Sequence, residues 1–66
     1  MHDLGSDIKA RRRALGLKQH DLADLSGASE RFIRDLEHGK ETVRLDKLTA
    51  VLEVLGLQLR AEPRTP

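Results

Sequence analysis

Apolar residues recur along most of this chain at intervals of three and four, the spacing of one helix face. Leu4, Ile8, the alkyl stem of Arg12 and Leu15 fall together, which predicts a first helix from Asp3 or Ser6 to Leu15, with either Asp3 or Ser6 as its cap. Gly16 follows where a left-handed C-terminal residue belongs. Leu22 and Ala23 turn inward on a second helix over residues 19–26, and Ala23 is small enough for a close helix crossing. Phe32, Ile33 and Leu36 form the inner stripe of a third helix that Gly39 ends; Glu30, Arg31, Arg34 and Asp35 are left facing out. Leu45, Leu48, Leu52 and Leu55 stripe a fourth helix, closed by Gly56. Val51 and Val54 lie beside that stripe. Either the core face is wide, or these valines meet a second subunit.

After Gly56 the period changes. Leu57-Gln58-Leu59-Arg60-Ala61-Glu62 alternates apolar and polar, as a strand does, until Pro63 stops it. No second strand pattern exists in the chain, and a lone strand must find a partner chain or fray. The expectation is a two-stranded sheet between two copies, with Val51, Val54, Leu57 and Leu59 at the dimer contact. The chain then divides into a helical domain, 1–56, and a strand and tail, 57–66, whose last residues Arg64-Thr65-Pro66 are expected to be disordered. The fold class is all-α, four to five helices with a short C-terminal β-strand.

Composition narrows the function classes. With 66 residues the core is small, and a partner subunit would help it. There is no cysteine, so neither a disulfide nor a thiolate zinc site substitutes for core, and a reducing compartment fits. No apolar run is long enough to span a membrane, and the start lacks the basic-then-apolar layout of a signal peptide. A cytoplasmic protein with no membrane contact is expected. The net charge of +1 favours no partner by itself. Its distribution is more informative: Lys9, Arg11, Arg12, Arg13 and Lys18 crowd one segment, and Arg31, Arg34, Lys40 and Arg44 follow. Phe32 is the one aromatic residue, so a single-strand or RNA reader that stacks bases is disfavoured and duplex DNA is the natural nucleic acid. His2, His20 and His38 share no ligand spacing, and Ser6, Ser26 and Ser29 suit capping and turns. No catalytic constellation, metal or cofactor is expected.

Residues 17–40 carry the functional signal. A short helix, a tight turn through Gly27, and a second helix capped by Ser29 make the layout of a helix-turn-helix, whose second helix can enter the major groove. Gln19, Leu22-Ala23, Gly27-Ala28-Ser29, Ile33, Glu37-His38-Gly39 and Lys40 then match, spacing for spacing, the pattern of the phage-repressor class of helix-turn-helix proteins. The chain resembles that Cro or XRE family over roughly residues 5–56. Asp21 to Gly27, Glu30 to Lys40, Val43 to Leu48 and Val51 to Leu57, with the strand-like tail, also resemble HipB-like antitoxins of toxin–antitoxin operons, whose dimers join C-terminal strands. Two departures stand out. Lys18 replaces the Thr common before the second helix, and Arg44 replaces the Ser or Thr common before the fourth; both add positive charge.

The resemblance implies roles. Gln19, at the start of the second helix, gives its side chain or amide to a phosphate, with Lys18, Lys40 and Arg44 as further phosphate partners or, alternatively, solvated surface charges. Ser29, Glu30, Arg31, Arg34 and Asp35 are the candidate base readers: arginine can bond guanine bidentately and a carboxylate can accept from cytosine. An acid at position 30 also suits the helix dipole alone. Arg12 and Glu37 are implied to form a structural ion pair between the first and third helices. The function implied is a homodimeric repressor on a palindromic operator, serving as an antitoxin that holds a toxin such as a HipA-like serine/threonine kinase. A stand-alone phage-type or restriction–modification regulator, and an interaction module that has lost DNA binding, are the alternatives.

Overall fold

The computed structural model describes residues 3–64. Four helices follow in order: α1 (Leu4–Ala14), α2 (Gln19–Ser26), α3 (Glu30–Glu37) and α4 (Leu45–Leu55). The two alternatives for the first cap resolve to Asp3, whose carboxylate accepts from the Gly5 amide at 3.0 Å and from the Ser6 hydroxyl at 2.8 Å. These hydrogen bonds, Ser6's first, hold Asp3 below the usual carboxylate range against a smaller opposing effect of burial. The glycines expected to end the helices, Gly16, Gly27, Gly39 and Gly56, all have positive φ.

Both α1 and α2 pack against α3 and α4. The shared core is Ile8, Leu22, Ala23, Ile33, Leu36, Leu48, Val51, Leu52 and Leu55. Phe32, Leu57 and Val54 are partly buried against it. The approach of α1 to α3 is close because Gly5 has no side chain. A Cβ there would lie 2.6 Å from the Leu36 carbonyl oxygen and 2.8 Å from that of Glu37.

Three stripe residues differ from the expectation. Leu4, Leu15 and Leu45 are exposed, Leu45 at 65 %. Leu4 and Leu45 are the first residues of their helices and Leu15 is a C-cap, so each overhangs the core. Val51 departs the other way. It is fully buried within the single chain and has no surface to offer a second subunit, so the wide core face is the correct reading for it.

The tail also differs. Residues 57–64 adopt neither helix nor strand, and no strand occurs among the described residues. Among the described residues no second strand lies beside it to share ladder hydrogen bonds, so the strand period of Leu57 to Glu62 has nothing to pair with. The tail is instead anchored at its root: the Leu57 amide donates to the Leu52 carbonyl at 2.9 Å and the Leu57 side chain rests on the core. The expectations for His2, Thr65 and Pro66 fall outside the described residues.

Candidate nucleic-acid interface

Glycine at position 27 makes the sharp turn between α2 and α3, with φ +75° and ψ 9° in the left-handed region that a β-branched residue resists. The chain then needs only Ala28 before Ser29 caps α3, its Oγ accepting from the Phe32 amide at 3.0 Å. Ile33, Leu36 and Glu37 are the buried side of α3. Ser29, Glu30, Arg31 and Arg34 are exposed, and Asp35 is half-buried. Arg31 Nε stands 3.9 Å from Asp35 Oδ2, one turn along the same face.

The start of α2 is built differently from the start of α3. Lysine has no acceptor atom, so Lys18 cannot cap as a threonine would. Asp21 supplies the other half of the arrangement, accepting from the Lys18 amide at 2.8 Å. The acidic third residue was the sequence signal for this. Lys18 itself is exposed.

Gln19 is half-buried, and its Nε2 donates to Glu37 Oε1 at 3.2 Å. The same carboxylate accepts two bonds from Arg12, Nε to Oε2 at 2.6 Å and Nη2 to Oε1 at 3.0 Å. Arg12 Nη1 completes its own set by donating to the Leu17 carbonyl at 2.8 Å. One buried carboxylate therefore joins α1, α2 and α3. Burial pushes the Glu37 carboxyl up, but the hydrogen bonds from Arg12 and Gln19 and the charges of Arg12 and Lys9 together hold it below the usual range. Gln19 thus spends part of its amide inside the protein, which leaves its second N–H for an outside acceptor.

Lys40 and Arg44 line one groove of about 420 Å³ with Phe32, Asp35, Val43 and Lys47. Lys40 is exposed, and its amide donates to the Asp35 carbonyl at 3.1 Å, ending α3. Arg44 is bound by Asp46 through two hydrogen bonds, 3.2 and 2.8 Å, so its charge is largely offset. Those bonds from Arg44, more than any other contact, hold Asp46 below the usual carboxylate range. Lys47, a third cation of the groove and one that sequence reasoning missed, has its Nζ 6.0 Å from the centre of the Phe32 ring. Arg11 was also missed as an individual: its Nε donates to the Leu55 carbonyl at 2.8 Å and caps the end of α4. Nothing separates Arg11 from its basic neighbours in the sequence.

Among the described residues no three histidine, aspartate or glutamate side chains converge as metal ligands. His20 Nε2 lies 3.2 Å from Asp24, and His38 Nδ1 lies 2.7 Å from the Arg34 carbonyl oxygen. No helix among the described residues is long and apolar enough to cross a membrane.

A turn of this form, with a capped exposed helix after it, is matched over residues 8–61 by the family model described as helix-turn-helix. The chain belongs to this helix-turn-helix family. It is also similar to a protein of Sinorhizobium fredii (strain NBRC 101917 / NGR234) named as an uncharacterized HTH-type transcriptional regulator, y4mF. The two are 39 % identical over 57 residues, which cover 86 % of this chain and 75 % of that one.

Proposed function

We propose that this helix-turn-helix protein is a sequence-specific double-stranded DNA-binding transcriptional repressor that acts as a homodimer. The observation that carries the reading is the outer face of α3. Ser29, Glu30, Arg31 and Arg34 are all exposed there, while the opposite face is locked into the core. Exposed donors and acceptors on a helix held rigidly from behind suit the reading of base edges in the major groove. Lys18 and Gln19 at the start of α2, with Lys40 and, less strongly, Arg44, supply phosphate contacts that fix its register. The name of the Sinorhizobium relative supports a role in transcription.

Dimerisation is proposed through Val54, Leu57 and Leu59. Val54 and Leu57 are partly exposed at the end of the core, and Leu59 is 47 % exposed on a tail that pairs with no strand among the described residues. Pairing of two tails as strands would satisfy their backbone groups. Deleting residues 58–66 keeps Leu57 in the core and is expected to yield monomers by sedimentation. A dimer that survives the deletion places the contact outside residues 58–66.

The regulatory setting proposed is that of an antitoxin that represses its own operon and binds a toxin, such as a HipA-like serine/threonine kinase. Its support is the resemblance of Asp21 to Gly27, Glu30 to Lys40 and Val43 to Leu57 to HipB-like antitoxins. Co-expression with the adjacent gene product and co-purification tests it; failure to associate favours a stand-alone regulator.

Selection of duplexes from a random pool at near-physiological salt tests the DNA reading. A palindrome with half-sites about 34–36 Å apart is the expected product. A folded protein that enriches nothing overturns it.

A further inference from the structure

Arg31 and Asp35 form an ion pair whose placement helix stability does not explain. Arg31 is the second residue of α3 and Asp35 the sixth of eight. The helix dipole favours acids at the start and cations at the end, the opposite arrangement. A cation placed before an acid at this spacing is also the weaker order. The pair is exposed, Arg31 at 85 % and Asp35 at 40 % of the side chain, where such contacts contribute little.

The geometry has a different consequence. At 3.9 Å the contact is electrostatic and too long for a hydrogen bond, so the N–H donors of Arg31 stay unspent. Asp35 approaches from the Nε side, which leaves the terminal edge of the guanidinium unengaged. Asp35 itself is the better anchored of the two, half-buried in the groove wall beside Phe32 and Lys40. A carboxylate so placed offsets the charge of Arg31 without using its donors. A phosphate attracts arginine mainly by charge, whereas the guanine edge needs two donors in a fixed fork. The same neighbour therefore weakens Arg31 against phosphate and leaves it competent against guanine.

We propose that Asp35 is a positioning residue for Arg31, and that the two act as one unit that raises discrimination for a guanine-containing base pair over unmatched duplex. The proposal rests on the DNA-binding reading above and assigns Asp35 a role other than contacting a base itself. The test uses the operator recovered by selection and measures binding to all four base pairs at each position. Wild type, Arg31→Ala, Asp35→Ala, Asp35→Asn and the double alanine variant are compared. The Asp35 side chain makes no hydrogen bond among the described residues, and alanine suits a helix, so circular dichroism is expected to show all variants folded.

Arg31→Ala is expected to remove one base-pair preference of about 5- to 150-fold. Asp35→Ala and Asp35→Asn are expected to flatten that same preference by about 2-fold or more while raising affinity for scrambled duplex. In the Arg31→Ala background, loss of Asp35 is expected to change nothing further at that pair. An unchanged preference, or an effect of Asp35 at a different base pair, overturns the proposal. So does an Arg31→Ala variant that keeps every preference. A wild-type protein that selects no duplex overturns the DNA reading itself, and the pair's role falls with it.

Discussion

Glu37 and Arg12 meet through two hydrogen bonds, 2.6 and 3.0 Å, with side chains only 2 % and 8 % exposed. The carboxylate also receives Gln19, so it stands where three of the four helices converge. Glu37→Ala would leave the Arg12 guanidinium buried with only the Leu17 carbonyl for company. Breaking one side of a buried pair costs about 3–5 kcal/mol. A domain of this size has about 3–10 kcal/mol of stability in all. The expected result is a protein largely unfolded or close to it at 37 °C, seen as a collapsed thermal midpoint. A normal midpoint would mean that the pair contributes little.

The same carboxylate sets an acid dependence. Its pKa is lowered in the folded protein from an ordinary value of 4.5, the partners outweighing the cost of burial. A group depressed on folding contributes stability that is present above the unfolded value and lost as pH falls through the folded one. Stability is therefore expected to drop from about pH 4.5 downward, in step with protonation of Glu37. Glu37→Gln removes that titration. The gap in denaturation midpoint between wild type and Glu37→Gln should be largest near neutrality and narrow in acid. A constant gap across pH 3–7 would assign the acid loss to other groups.

At Gly5 two opposing effects can be weighed. Alanine gains about 1 kcal/mol of helix propensity over glycine. Its Cβ would sit 2.6 and 2.8 Å from two backbone carbonyl oxygens of α3, and neither can rotate away. Overpacking of this kind costs about 1–3 kcal/mol. Gly5→Ala is expected to be net destabilising, with a lower melting temperature. A more stable Gly5→Ala would show that α1 shifts freely on α3.

These residues mark how far the sequence could be read. Helix positions were legible because Gly16, Gly27, Gly39 and Gly56 punctuate a clear three-four period, and the residues matched to the family lie on that frame. Periodicity reports direction and not depth, so it carries no sign that Leu4 and Leu45 overhang helix ends. Gly5 was invisible for the opposite reason: its contribution is an absent side chain. Gln19 shows a third limit. Its residue type suits a phosphate partner, but the Glu37 carboxylate that shares its amide comes from another helix 18 positions away. In the tail, the alternation over Leu57 to Glu62 has the period of a strand, but periodicity cannot supply the backbone partner that a strand needs.

The phosphate residues are expected to separate by their own ion pairs. A cation that neutralises a phosphate releases counterions, and its loss lowers the salt dependence of binding by about one unit of log–log slope. Lys40 is exposed and has no carboxylate bound to it among the described residues, whereas Arg44 is held by Asp46 through two hydrogen bonds. Engaging a phosphate would require Arg44 to give up or share that partner. Lys40→Ala is therefore expected to weaken binding across all duplex sequences and flatten the slope by about one, and Arg44→Ala to change it less. Asp46→Ala separates charge from position. It frees Arg44 and removes the negative group bound to it, so binding should tighten at low salt and its salt slope should steepen. The measurement is affinity across 50–200 mM salt, where phosphate-driven binding changes most. Equal slopes for Lys40→Ala and Arg44→Ala, with no gain from Asp46→Ala, would show that the Arg44–Asp46 pair opens without cost on DNA.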